Sequence, residues 1–597
     1  MKLARFVAQW LREQGLEHVF CVSGGASLHL IHGIAEQEGI TYVPTQSEQG
    51  AGFAADAYAR LNGIGCALAT SGPGATNLVT PIATNYYDSV PVLYLTGQVA
   101  TFRMTGNKGV RQIGFQETPI VEMVTPITKF ARTVMEPESI WATLQEALWH
   151  AQEGRKGPVL VDIPDDIQRA EIDPGRLQGY IPPMENFIDT LDLADCAWMS
   201  ELHRSKRPVL VYGWGVRLAG AENEARRFAH QLGIPVAVTW GARDVFPEAD
   251  SLCVGGFGTH GTRAANFVVQ NADLVISVGA RLDTKATGSP ASSFARGAKI
   301  VMCDIDQAEL DKFTDRVIDY KIRADAKQFL SMAIAVANAV KSHDGGFPDY
   351  LGWQLQCSTW NRLYQPPLNA WKNVNPYWLV REIARYTTPE DVIVSDTGFA
   401  VGWMMQAYPF KGERFIHAFN NTPMGYGLPA AIGAAFATSK RVIYIAGDGS
   451  IMPNIGELAT IRRNRLSIKI ILLDNGGHGM CRQTQRQWLG GVYHATDIDH
   501  GLGFPDFRRV AQANAFLTAL MPDSVERVEW QLNGGLEWLL SKTGNAPALL
   551  HVQIDPEAQL EPQVRFGRPN EDGAPLLPRE ELRAQMSVPL LPVSEVA

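Results

Sequence analysis

Hydrophobic positions along this chain alternate between two periods. Short runs rich in Val, Ile and Leu, such as "EHVFCVSGG", "GCALATSGPG", "VPVLYLTGQ" and "GPVLVDIP", read as strands, and between them apolar residues recur at helical spacing. Strand and helix in alternation predict an α/β fold, with parallel sheets covered by helices on both faces. The opening "MKLARFVAQWLREQGLEHVF" is expected to be an amphipathic helix and not a signal peptide, because charges run throughout it. The longest apolar stretch, around "MGYGLPAAIGAAFA", falls short of the ~20 residues a membrane span needs and is expected to be a buried helix packed through its small residues.

The pattern breaks twice, at the Pro- and acid-rich "IDPGRLQGYIPPMENFIDTLD" and at "KSHDGGFPDYLGW", which read as linkers. A length of 597 residues exceeds what one core accommodates. Three blocks are therefore expected, over residues 1–170, 190–340 and 365–560, with a Pro-rich tail over 561–597 that wraps the surface. Blocks one and three share a layout. The first reads strand, Gly72-Pro73-Gly74, helix, strand, Gly97-Gln98. The third reads strand, Gly447-Asp448-Gly449-Ser450, helix, strand, Asp474-Asn475. This weak duplication suggests two related domains flanking a dissimilar one.

Composition narrows the partners. The chain is 46% hydrophobic and 19% charged, which argues against disorder, and its net charge of -9 comes without a basic stripe, which argues against nucleic acid. Seven cysteines stand singly, with no C-x-x-C pair and no Cys/His cluster, so reduced thiols in a cytoplasmic protein without structural zinc are expected.

The chemistry concentrates in "IYIAGDGSIMPNIGELATIRRNRLSIKIILLDNGGHGM". One strand ends on Asp448 and the next on Asn475, each beside glycines. In open α/β sheets ligands bind beyond the carboxyl ends of strands, and glycines there let backbone N–H groups approach an anion. A carboxylate alone would repel a phosphate, but a divalent cation between the two removes the conflict. Mg²⁺ takes oxygen ligands, which Asp448, the Asn475 amide and a backbone carbonyl of the glycine turn can supply. Taken singly, Asp448 and Asn475 also suit ordinary turns.

This Gly-Asp-Gly followed about two dozen residues later by Asn resembles the signature of thiamine-diphosphate-dependent enzymes, with Asp474 where that family usually has Asn. The closest resemblance is to the acetolactate synthase catalytic subunit. It covers nearly the whole chain through "EQGAGFAADAYAR", "ATSGPGATNLVTPIAT", "DSVPVLYLTGQV", "FQETPIVEMVTPITK", "GTHGTRAAN", "VGARLD", "MGYGLPAAIGAA" and "GDGSIMPNIGELAT". The resemblance implies three doubly wound domains: pyrimidine-binding, central flavin-type and diphosphate-binding. It implies Mg²⁺ on Asp448, Asn475 and the Gly477 carbonyl. Glu48 would be the largely buried acid that activates the cofactor's aminopyrimidine. Met424 would hold the cofactor bent, and the Thr422 carbonyl would accept from its amine. Gly25, Gly398, Gly449, Ser450, Gly479 and Met480 would complete the cradle. Ala26, Phe115, Gln116, Lys129 and Thr484 would face the substrates. FAD would lie against His260, Gly279, Arg281 and Asp304, with Lys285 where the family usually has Arg. Glu48 and Asp448 fall in different domains, so the resemblance implies a homodimer or tetramer with sites at the subunit interface, and a small regulatory subunit as a further partner.

The implied reaction is decarboxylation of pyruvate and acyl transfer to a second 2-oxo acid. Thr484 replaces a tryptophan that helps choose the acceptor, and Phe399-Ala400-Val401 replaces the family's residues after Gly398. Transfer to a bulkier aldehyde or keto sugar nucleotide, or simple decarboxylase or lyase chemistry, therefore stands as the alternative. A non-catalytic nucleotide-binding regulator should have lost Glu48 or Asp448, and both are present.

Overall fold

The computed structural model describes residues 1–183, 194–343, 346–368, 374–521 and 534–596. Parts of both expected linkers lie outside the described residues. Three six-stranded sheets organise the chain, and every strand pair in them is parallel. Strands such as Gly65–Ala69 and Val92–Gln98 are buried at every position, because helices cover both faces of a parallel sheet. That burial explains why they read as unbroken apolar runs.

Counting strands along the chain within each sheet, the first (His18–Cys21 to Val159–Pro164) has the order 2-1-3-4-6-5. The third (Val392–Ser395 to Ala548–Gln553, strand five being Leu517–Met521) has the same order. The central sheet (Pro208–Tyr212 to Tyr320–Arg323) is different, 3-2-1-4-5-6. The duplication suggested by the sequence is thus a duplication of topology. In each sheet the order reverses beside strand one, and the connecting helices leave on opposite faces there, opening a crevice at the carboxyl ends.

The first and third sheets share one continuous apolar core. At its centre the helix Glu48–Asn62 crosses the helix Gly427–Ala437. The approach is so close that a β-carbon on Gly433 would fall 1.9 Å from the Ala54 carbonyl oxygen. Small residues make this contact possible, as "GLPAAIGAA" and "GAGFAADA" foreshadow. The central sheet has its own core, and Leu582 of the tail is buried within it. The tail is tied to that unit by Arg296–Glu571 (2.7 Å) and by Trp360 Nε1 donating to Gln585 (2.8 Å). The opening residues form the helix Leu3–Glu13 as expected. Among the described residues no helix is long and apolar enough to cross a membrane.

Candidate active site

A cavity of about 250 Å³ opens at the carboxyl ends of three adjacent strands of the third sheet. Val392–Ser395 delivers Thr397 and Gly398, Val442–Gly447 delivers Asp448 to Ser450, and Ile468–Asp474 delivers Asn475 and Gly477. The helix Gly479–Trp488 adds Gly479 and Met480, and Thr422 and Met424 close one side. The structure therefore brings together the residues expected around a diphosphate. Gly398 has φ +91° and no atom within 4 Å of where a β-carbon would stand. At Gly477 a β-carbon would lie 2.2 Å from the Thr496 carbonyl oxygen, so only glycine fits that close approach.

Asp448 is 2% exposed and accepts from the Gly449 N–H (2.7 Å) and the Gly477 N–H (2.8 Å). Burial and the neighbouring Asp474 carboxylate push Asp448 well above the usual carboxylate range. Asp474 is also partly buried, but hydrogen bonds from His551 Nε2 (2.7 Å) and the Gly476 N–H (3.0 Å) hold it below its ordinary value. Its side chain is engaged by His551, which accounts for the tolerance of Asp at this position. The Asn475 carbonyl accepts from Arg482 (2.8 Å), and the Gly477 carbonyl accepts from the Gly479 N–H (3.0 Å). One carboxylate, one amide and a backbone carbonyl form a hard oxygen set that suits Mg²⁺. No group of three or more His, Cys, Asp or Glu side chains that could hold a metal occurs among the described residues.

A second cluster lies at the carboxyl ends of the first sheet. Glu48 begins its helix behind the Ser47 cap, whose hydroxyl accepts from the Gly50 N–H, and Glu48 itself accepts from Asn77 Nδ2 (2.8 Å). Gly25 and Ala26 lie nearby, with the Ala26 N–H donating to Thr70 (3.2 Å), and Gly72 (φ +63°) packs against Gln116. Phe115 is 84% exposed. Glu48 is only half-buried in the single chain, not largely buried as expected, because its carboxylate stands at the open rim of the sheet. None of Glu48, Gly25, Ala26 or Gln116 lines the Asp448 cavity.

Lys129 requires correction. It precedes the strand Phe130–Thr133, at the amino end of the parallel sheet and across it from Glu48. Its ammonium donates to the Glu153 carbonyl at a helix C-terminus (2.5 Å), and burial brings it down to about 8. Thr484 is exposed one turn beyond Met480, its hydroxyl donating to the Met480 carbonyl (3.0 Å).

The central cavity sits at the crevice of the 3-2-1-4-5-6 sheet and is walled by Gly279, Arg281 and Asp304 together with Trp214, Trp240 and Lys285. A β-carbon on Gly215 would fall 2.7 Å from the Gly279 Cα, so the loops after strands one and four touch. Burial raises Asp304 to about 6. Lys285 lies 4.2 Å from the Trp240 ring centroid, and burial lowers it. His260 is a second correction. It is absent from this wall, and both its ring nitrogens are engaged, by Thr259 (3.0 Å) and by Gln563 of the tail (3.0 Å).

Sequence reasoning missed the braces that unite these parts. Glu457, fully buried, accepts from the N–H groups of Gln46 (2.9 Å) and Ser47 (3.2 Å). Asn454 accepts from Ser47 Oγ (2.9 Å) and donates to the Gly425 carbonyl (2.9 Å). At the helix's other end Asp56 and Asp88, both fully buried, pair with Arg60. Asp88 also accepts from the N–H groups of Phe419 (3.2 Å) and Asn420 (3.0 Å). The Glu48 helix and the segment carrying Thr422 and Met424 are therefore one braced unit. The available signal was a buried acid inside the apolar run "IGELAT".

Three family models match the chain. They are described as thiamine pyrophosphate enzyme, N-terminal TPP binding domain (residues 1–119), central domain (197–333) and C-terminal TPP binding domain (396–552). The acetolactate synthase isozyme 1 large subunit of Escherichia coli (strain K12) is 34% identical over 576 residues, covering 95% of this chain and 96% of that one. Acetolactate synthase 2, chloroplastic, of Nicotiana tabacum is 34% identical over 578 residues, 93% of this chain and 82% of that one. The acetolactate synthase large subunit of Parasynechococcus marenigrum (strain WH8102) is 35% identical over 519 residues, 84% and 80% respectively.

Proposed function

Because this chain belongs to the thiamine pyrophosphate enzymes of the acetolactate synthase large-subunit kind, we propose that it decarboxylates pyruvate and transfers the two-carbon acyl unit to a second 2-oxo acid. Thiamine diphosphate supplies, when bound, the electron sink for that chemistry. The observation that carries the reading is the split site: an acid cluster around Glu48 on one sheet, an oxygen-ligand cavity around Asp448 on another, with no shared wall within one chain. A second copy completes it, Glu48 of one subunit facing the cavity of its partner, which makes a homodimer the smallest active form.

In that arrangement Asp448, Asn475 and the Gly477 carbonyl hold Mg²⁺, and the backbone around Gly398, Gly449 and Ser450 cradles the diphosphate. Thr422 and Met424 position the rings. Glu48 loses the solvent it meets in a single chain, so its proton is shared with the pyrimidine and not with water. The central cavity, with Asp304 to accept from a ribose hydroxyl and aromatic walls at Trp214 and Trp240, is where FAD would sit. No two of the seven cysteines are joined by a disulfide, as a reducing cytoplasm would keep them. The relatives' names, "large subunit", support a smaller regulatory partner.

A second reading has its own observation. Thr484 leaves an exposed, small polar position one turn beyond Met480, which favours a larger carbonyl acceptor such as an aldehyde or keto sugar nucleotide. The test is product analysis by mass spectrometry after incubation with Mg²⁺, thiamine diphosphate and pyruvate, with and without candidate acceptors. Acetolactate is expected. Release of CO₂ with no acetolactate overturns the leading assignment, and an acceptor-dependent product in its place supports the second.

A further inference from the structure

A diphosphate carries several negative charges, yet the wall of the Asp448 cavity contains no lysine and no arginine. Its side-chain nitrogens are few. Trp403 lies on an apolar wall with Phe399 and Ala400, its indole N–H donating to the Gln559 carbonyl (3.2 Å). The Asn475 amide oxygen is committed to the cation in the reading above. His478 remains, the single ionisable nitrogen side chain in the wall. Its backbone is fixed, with its N–H donating to the Thr496 carbonyl (2.7 Å) and its carbonyl accepting from the Arg482 N–H (3.0 Å). Its ring packs against the turn that follows Asp448. A β-carbon on Gly449 would fall 2.3 Å from its Cδ2 and 2.7 Å from its Nε2. Neither ring nitrogen hydrogen-bonds to a described residue.

We infer that His478 contacts the diphosphate, its ring N–H donating to a phosphate oxygen in a cavity whose wall holds no other ionisable nitrogen. The glycine at 449 is then explained twice over: it lets the anion approach the backbone and leaves room for the imidazole. For the organic half of the ligand this rests on the thiamine-diphosphate reading; for the anion it does not.

Calorimetric titration of the full-length protein with Mg²⁺ tests it, using thiamine diphosphate and inorganic pyrophosphate as separate probes. His478→Ala is expected to raise Kd for both about tenfold or more, the scale of a lost hydrogen bond to a charged group. His478→Gln, which keeps an N–H donor, should recover part of the loss. Unchanged Kd values in a folded His478→Ala overturn the inference while leaving the carboligase reading intact; if that variant melts early, unchanged Kd values in His478→Phe, which fills the ring's space without an N–H donor, do so. Wild type that binds pyrophosphate but not thiamine diphosphate, with the pyrophosphate loss seen in His478→Ala, overturns the carboligase reading and leaves His478 in its role. Wild type that binds neither overturns both.

Discussion

Glu48 and Asp448 are both carboxylates beyond the carboxyl end of a strand, yet the structure gives them opposite surroundings. Asp448 is buried with a second carboxylate beside it and is held by two backbone N–H groups. A cation relieves both causes of its raised pKa, so Asp448→Ala should abolish Mg²⁺-dependent retention of thiamine diphosphate, measured by equilibrium dialysis. Retention equal to wild type would remove Asp448 from the metal site. Glu48 keeps one solvent-facing side and a single amide partner, Asn77. Glu48→Gln preserves shape and the cofactor contact but not the proton, so turnover should fall about 10²–10⁴-fold, the usual range for a lost general acid–base, with cofactor affinity nearly unchanged. Both residues could be named as candidates from the sequence because motif spacing survives without coordinates. The locations of Lys129 and His260 were not, because a motif says nothing about which end of a strand a neighbour occupies or which tail residue takes up a ring nitrogen.

Helices and strands set two further expectations. The crossing of Glu48–Asn62 over Gly427–Ala437 has no room for a methyl group at Gly433. Gly433→Ala should destabilise the protein by about 1–3 kcal/mol, as overpacking does, read as a lower denaturation midpoint. In the first sheet Asp162 is buried and pushed up to about 7 by that burial, against hydrogen bonds from Thr96, Gln98 and Thr133. Its folded value lies above the ordinary 3.8 of a free aspartate, so between the two the native state binds more protons than the unfolded state. Its contribution to stability therefore declines as pH rises from about 4 to about 7 and is flat above that. Asp162→Asn should flatten this slope in melts recorded across the window. Strand existence was readable from unbroken apolar runs, which burial on both faces requires. Strand order was not, because adjacency in a parallel sheet is set by crossover direction and leaves no mark on the strands themselves.

At the scale of the molecule, the Glu48 cluster and the Asp448 cavity share no wall within one chain. If a partner completes each, two inactive variants should complement. Mixing Glu48→Gln with Asp448→Ala under conditions of subunit exchange leaves one intact site in each mixed dimer. With random pairing about a quarter of wild-type activity should return, as two-fold symmetry dictates. No recovery after verified exchange would mean that both residues serve a site within one subunit. The bracing through Glu457, Asn454, Asp88 and Arg60 holds the Glu48 helix against its own third sheet.

The order of apolar and polar residues determined that this chain forms parallel α/β units, that two of them are kin, and that a carboxylate and a carboxamide end neighbouring strands. Those features are local: periodicity and turn chemistry act over a few residues. Tertiary structure alone decided that Glu48 stays at an open rim, that Asp474 answers to His551 across the sheet, that His260 is occupied by the tail, and that His478 lies over Gly449. Each depends on groups far apart in the chain meeting in one place, which close packing settles and local spacing does not.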